Sequence, residues 1–172
     1  ASGLQTSSVR TQDIAAYLGG QFIIQSLSSN SVSSITISES GTVDAQNGLA
    51  NLELYYDVDS TLPYNCVSES YSGAELQFGG TESFDGFDGS ATFSGSVVGV
   101  GPTQALCLYI VSDITTAAID GATIDLSVAN PPFDIGITGS DISPDTAVTL
   151  PGVTTVVSPQ LTQTHYHWRN DD

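Results

Sequence analysis

Residues 106–111 read LCLYIV, a run in which both alternating sets of side chains are apolar. Successive side chains of a strand point to opposite faces, so this run predicts a central strand that is covered on both sides. Residues 52–58 read LELYYDV, in which most apolar side chains alternate with polar ones. That period of two predicts a second, half-buried strand.

Further short segments of β character lie on both sides of these two runs. They comprise residues 35–37, 124–128, 133–137, 148–150 and 153–156. Turn pairs such as Asn47-Gly48 and Asp120-Gly121 separate them at intervals typical of a sandwich. We therefore predict an all-β fold, an antiparallel two-sheet β-sandwich of the immunoglobulin-like or jelly-roll-like kind, as a single domain over residues 1–172.

Two segments depart from this pattern. Thr11–Leu18 places its apolar residues at a spacing compatible with one or two helical turns, so the little helix that we expect lies there. Residues 81–101 contain many glycines, and we expect a long ordered loop that enters a strand near Ser96–Val100.

The charge balance excludes several classes of partner. The chain has 172 residues, 19 of them acidic and only two basic (Arg10 and Arg169), which gives a net charge of −17. Nucleic acids and anionic lipids bind through cationic groups, so neither is an expected partner. The absence of lysine excludes Schiff-base chemistry, and no apolar run reaches the roughly 18 residues of a membrane-spanning helix.

The cysteine count and the first residue indicate an oxidising compartment. Cys66 and Cys107 are the only cysteines, and an even number in such a chain predicts one disulfide, with two buried free thiols as the alternative. The sequence contains no methionine and starts at Ala1, which we interpret as a mature N-terminus left by processing. The expected location is extracellular or at a cell surface.

Paired carboxylates are the candidate metal ligands. Asp57 with Asp59, and Asp85 with Asp88, lie in or beside turns where backbone carbonyls can complete a calcium shell. Turn chemistry alone also explains aspartate beside glycine. We therefore expect no cofactor, with calcium at one of these pairs as the alternative.

The two histidines give a weaker metal signal. His165 and His167 have a spacing compatible with two zinc ligands, but no third ligand is evident. A solvated or interface tail, with Tyr166 and Trp168 on the opposite face, is the favoured interpretation.

The sequence carries no recognisable catalytic motif. It lacks a G-x-S-x-G elbow, and its histidines lie near the end of the chain, which argues against a Ser–His–Asp triad. Among 19 acidic residues a glycosidase-like pair arises by chance. We predict that the protein is not an enzyme and has no catalytic residues.

Two stretches resemble known surface proteins. The segment from Ser34 to Gly73, above all YYDVD at Tyr55–Asp59 followed by Cys66, is similar to modules of large uncharacterised cell-surface proteins of environmental bacteria. The tail LTQTHYHWRNDD, from Leu161, resembles a junction motif of such proteins. The resemblance covers about half the chain and implies a β-sandwich that is joined to further modules or to a filament-forming part, without a family active site.

These observations favour a structural subunit of an extracellular filament or surface layer that assembles with copies of itself by strand exchange. Residues 1–10 and 153–172 are the segments expected to pair with neighbours, with 1–10 as the favoured donor; pairing of both ends within their own sheet is the alternative. A carbohydrate- or surface-binding module is the alternative function, and Tyr55, Tyr64 and Tyr71 are its candidate residues.

Overall fold

Strands make up most of the structure. The computed structural model describes residues 1–139 and 142–159. The strands are β1 Ser2–Gln5, β2 Ser8–Arg10, β3 Ala16–Tyr17, β4 Gly19–Gln25, β5 Asn30–Glu39, β6 Leu49–Asp59, β7 Leu76–Gln77, β8 Ser90–Val100, β9 Ala105–Ile114, β10 Thr123–Ile124, β11 Leu126–Val128, β12 Ile135–Ile137, β13 Val148–Thr149 and β14 Thr154–Val157. Two single helical turns, α1 Ala45–Gly48 and α2 Pro131–Asp134, complete the described elements.

The first sheet is built around β9. Its strand order is β1-β4-β9-β6-β7, and β3 pairs with β9 beside β4. Leu108 of β9 pairs with Phe22 of β4 on one side and with Tyr56 of β6 on the other. The prediction that residues 106–111 form a central strand is therefore confirmed.

The second sheet is built around β5. Ile35 pairs with Phe93 of β8 and with Ile135 of β12, while Ser38 pairs with both β8 and β11. Strands β12 and β11 therefore share one edge of β5, β8 occupies the other edge, and β13 continues outward from β11.

A small third sheet gathers the two ends of the described chain. Its order is β10-β14-β2, and β14 runs parallel to β2, with Val157 opposite Arg10. This parallel pair departs from the antiparallel pairing that the sequence predicts. It arises because β2 and β14 come from opposite ends of the described chain rather than from one hairpin.

The core lies between the two large sheets, and the predicted all-β sandwich is confirmed. Leu106, Leu108 and Ile110 project from one face of β9 into the same cluster as Ile37 and Phe93 of the second sheet. The opposite face of β9 carries Cys107 and Tyr109, which are also fully buried. A loop, residues 60–75, covers that outer face. The second sheet therefore buries one face of β9, and this loop buries the other.

The helical turns predicted for Thr11–Leu18 are wrong. Gln12 and Ala15 have φ values of 72° and 50°, in the left-handed region that interrupts a right-handed helix. The segment instead follows the end of β9: the Asp113 carboxylate accepts the Ala15 N–H at 2.7 Å, and Tyr17 pairs with Val111 in the sheet.

The predicted loop over residues 81–101 is wrong in its second half, because β8 begins at Ser90. Ala91 and Phe93 are buried in the first part of the strand, and Val98 and Val100 in the second. A register shift separates the two parts, at Gly95 with φ 97°. A bulge of this kind moves the buried set from odd to even positions, which hides the period of two in the sequence.

Candidate functional site

An apolar groove of about 340 Å³ opens between the two large sheets. Both sheets contribute to its walls: Phe22, Ile24, Ile35, Leu108, Val128, Ile135, Ile137 and Val148. Leu27, at the rim, is fully exposed to solvent. The groove therefore exposes apolar surface beside the main core.

Strand edges that have no partner among the described residues flank this groove. Strand β1 pairs with β4 at Gly19 and Gln21, and that pairing stops before Phe22. Over residues 22–25, β4 pairs with β9 alone among the described strands, and β12 pairs with β5 alone. Free N–H and C=O groups on an edge next to exposed apolar side chains are the features to which an additional strand binds.

The sequence pattern of β4, the strand that borders this groove, is too short to show a period. Residues 22–24 read Phe-Ile-Ile after a glycine pair. A continuous apolar run of three residues carries no clear period, so it escaped identification as a strand. The groove itself depends on how two sheets meet, which no local pattern encodes.

The predicted donor segment, residues 1–10, pairs within its own chain in this structure. Gln5 is buried, and its side-chain amide donates to the Ile124 carbonyl at 2.9 Å and accepts the Leu126 N–H at 3.0 Å. Val9 belongs to the main core. Residues 154–157 likewise pair with β10 and β2, whereas residues 160–172 lie outside the described part of the chain.

The predicted disulfide is confirmed. Cys66 and Cys107 are bonded with a Cα–Cα distance of 5.7 Å, and both are fully buried. The bond ties the loop of residues 60–75 to the outer face of β9. The Gln21 side chain supports the same loop by donating to the Cys66 carbonyl at 2.7 Å.

Tyrosines hold the rest of that loop. The Tyr71 ring lies 4.8 Å from Tyr17, 5.6 Å from Tyr55 and 5.9 Å from Tyr109, measured between ring centroids. These rings are tilted against one another, as in a packed aromatic cluster. Two of the three tyrosines proposed for ligand binding, Tyr55 and Tyr71, thus contact each other, and Tyr64 lies in the same smaller core.

The Tyr109 hydroxyl has no hydrogen-bond partner among the described residues, although it is buried. Burial raises the pKa of this phenol above its usual value, with a further contribution from the Asp57 carboxylate. The Tyr17 hydroxyl, in contrast, donates to the Gly20 carbonyl at 2.6 Å.

We expect Tyr109→Phe to raise the free energy of unfolding by about 1 kcal/mol, because it removes a buried polar group that lacks a partner. The matched variant Tyr17→Phe should lower it by about 1 kcal/mol, because it deletes a formed hydrogen bond. Denaturant unfolding of both variants checks the opposite signs; a loss of stability in Tyr109→Phe would contradict the assignment.

The first predicted calcium pair, Asp57 and Asp59, lies on β6 beneath the loop of residues 60–75. Asp59 accepts the Thr61 N–H at 2.8 Å and the Cys66 N–H at 2.9 Å. The amide of Thr61, followed by that of Cys66, lowers the pKa of Asp59. Burial raises the pKa of Asp57. Asp59 thus organises the start of the loop.

The second predicted pair, Asp85 and Asp88, lies in the turn before β8, next to the other sheet. Asp85 accepts the Ser90 N–H at 2.6 Å and closes that turn. The two pairs are not brought together, and residues 1–139 and 142–159 contain no group of three or more acidic, histidine or cysteine side chains placed to hold a metal. Calcium at these pairs stays a prediction; His165 and His167 lie outside the described residues.

Comparisons with known proteins add no family to this picture. A scan of protein-family models and a search of curated proteins both find no match. Within the described residues, no helix is long and apolar enough to cross a membrane.

Proposed function

We propose that this chain is the structural subunit of an extracellular polymer, in which one copy adds a strand to the β4 edge of the next. The observation that carries the proposal is the apolar groove between the sheets, flanked by strand edges that are free within the described residues. A buried disulfide suits an oxidising, extracellular location. Main-chain hydrogen bonds would hold the joint, and apolar side chains in the groove would set its register.

We propose residues 160–172 as the donor. The other candidate, residues 1–10, would have to withdraw the buried side chains of Gln5 and Val9 from their own domain. The 13 residues after Pro159 can extend over roughly 40 Å, which exceeds the length of the free β4 edge. They include Tyr166 and Trp168, which alternate with His165 and His167 and could place two aromatic rings on one side of an added strand.

Val157, which comes shortly before the proposed donor in the chain, and the groove lie at opposite ends of β9, and this favours a head-to-tail polymer. Residue 157 accepts the Thr11 N–H at 3.1 Å, and the Gln12 N–H donates to Ile114 at the end of β9. The groove lies beside Gln25, which pairs with Ala105 at the start of β9. The ten residues of β9 separate the two places by about 30 Å. A contact between opposite ends is heterologous, and it propagates as a fibre when its rotation does not close into a ring.

The test is a charge placed in the groove. Ile24 is half-buried there, so Ile24→Glu should be tolerated by the free subunit. An added strand would bury the carboxylate, and we expect subunit association to weaken by about 100-fold or more. Leu62→Glu is the matched control, because Leu62 is 76% exposed in the loop on the outer face.

Negative-stain electron microscopy and sedimentation should show polymers for the native chain and for Leu62→Glu, and folded monomers for Ile24→Glu. Trp168 is the only tryptophan, so its emission should shift to shorter wavelength on assembly of the native chain and not in Ile24→Glu. Normal polymers from Ile24→Glu would refute the groove as the joint. Assembly with unchanged tryptophan emission would refute residues 160–172 as the donor.

A further inference from the structure

A buried carboxylate with a free oxygen lies at the end of β5. Glu39 is only 2% exposed. Its Oε1 accepts the Gly41 N–H at 2.6 Å and the Asp125 N–H at 2.9 Å. Its Oε2 is buried and has no hydrogen-bond partner among the described residues.

A second free carboxylate oxygen lies on the neighbouring side chain. Asp125 Oδ1 is also buried without a partner in the described structure. The hydrogen bond from the Asp125 amide to Glu39 fixes the two residues side by side, and the Ser40 N–H donates to the Asp125 carbonyl at 3.0 Å. Two acceptors without donors therefore occur at one junction, between β5 and β11.

Negative charge accumulates there, and the described residues place no basic side chain beside it. The Glu39 N–H donates to the Gly89 carbonyl at 2.9 Å, which brings the turn containing Asp88 beside the junction. Burial raises the pKa of Glu39; the amides of Asp125 and Gly41 oppose this shift, and the carboxylates of Asp88 and Asp125 add to it. The chain has no lysine, and Arg10 lies in β2, which pairs with β14.

The local backbone is shaped around this carboxylate. A Cβ on Gly41 would lie 2.1 Å from the Thr123 carbonyl oxygen and 2.6 Å from Glu39 Oε1. Only glycine therefore lets the amide of residue 41 reach the carboxylate. This close approach occupies Oε1 and leaves Oε2 as the available oxygen.

We infer that Glu39 Oε2 and Asp125 Oδ1 bind one divalent cation of the hard, oxygen-liganded class that calcium represents. Glu39 Oε1 already has two amide donors, but each buried free oxygen still needs a donor, a counter-ion or a proton, and one cation satisfies both free oxygens at once. With two carboxylates and the remaining positions left to water or carbonyl oxygens, the affinity falls in the weak extracellular range, with a Kd of about 0.1–1 mM. This site lies apart from the groove and does not depend on the proposed assembly.

The test compares thermal unfolding of the full chain in chelator and in 5 mM calcium chloride, at ionic strength matched with sodium chloride. Calcium should raise the unfolding midpoint of the native chain by about 3–5 °C. Glu39→Gln and Asp125→Asn keep the side-chain shape and should abolish the shift. Asp145→Asn, the matched control at an exposed position before β13, should retain it, because it also removes one negative charge but does not touch the site.

Three results would overturn the inference. An equal calcium shift in Glu39→Gln would show that the ion acts elsewhere or through general screening. Loss of the shift in Asp145→Asn would show that the shift depends on the total charge of the chain and not on this site. An unshifted native midpoint, with Glu39→Gln more stable than the native chain in chelator, would show that the two carboxylates share a proton instead. Calorimetric titration of the native chain with calcium should give one site per chain.

Discussion

Replacing both cysteines, Cys66→Ala with Cys107→Ala, should lower the free energy of unfolding by about 4 kcal/mol. The bond joins residues 41 positions apart. In the chain-entropy model, cutting a cross-link of that span restores about this much conformational freedom to the unfolded state. Equilibrium unfolding in guanidinium chloride measures the difference.

The reducing agent provides the internal control. Reduction of the native chain should produce the same loss of stability, and the same agent should leave the double variant unchanged. A loss below about 1 kcal/mol would contradict the chain-entropy account, because it would mean that cutting the bond frees the unfolded chain by much less than a cross-link of this span predicts.

Gln5→Ala should lower the free energy of unfolding by about 3–4 kcal/mol. The Gln5 side chain satisfies the Ile124 carbonyl, the Leu126 N–H and the Thr154 hydroxyl. Alanine would leave the two buried backbone groups without partners, at about 1–3 kcal/mol each. Gln46→Ala is the matched control: Gln46 is exposed and makes one long contact of 3.5 Å, so its loss should change stability by less than about 0.5 kcal/mol.

This result also bears on the donor strand. If Gln5→Ala is destabilising as stated, residues 1–10 belong to their own domain, and deleting them would damage the fold as well as any joint. A Gln5→Ala variant as stable as the Gln46→Ala control would instead show that the segment is held weakly enough to leave.

The main features of the fold follow from local patterns. The two-sided apolar run at 106–111 identified β9, and the alternation at 52–58 identified β6. β9 is buried on both faces, whereas β6 buries Leu52 and Leu54 on one face and leaves Glu53 and Tyr55 half-buried on the other. Where burial follows the pleat, the sequence carries the strand period directly.

The strands missed by sequence reasoning depart from that simple relation. In β8 the bulge at Gly95 shifts the period midway. In β4 the glycine pair and three consecutive apolar residues show no alternation at all. The sequence predicts that β9 is covered on both faces, but not what covers its outer face. A polar loop that is held by one disulfide and a few tyrosines leaves no periodic signal.

The candidate sites were least accessible to sequence reasoning. Aspartates beside glycines indicated metal ligands, whereas the carboxylate oxygens without a partner among the described residues belong to Glu39, at the end of β5, and to Asp125, between β10 and β11. Their proximity depends on the pairing of β5 with β11. The groove likewise depends on the point at which β1 stops pairing with β4.

The parallel pairing of β2 with β14 has a consequence for proteolysis. A protease that cleaves after basic residues has only two target bonds in this sequence, after Arg10 and after Arg169. The residues on both sides of the Arg10–Thr11 bond are paired with another strand. Arg10 pairs with Val157, and the Thr11 N–H donates to the Val157 carbonyl. Proteases require an extended, unpaired segment, so this bond becomes cleavable only when β2 separates from β14. The rate of trypsin cleavage at Arg10 therefore measures how often the ends of the domain open.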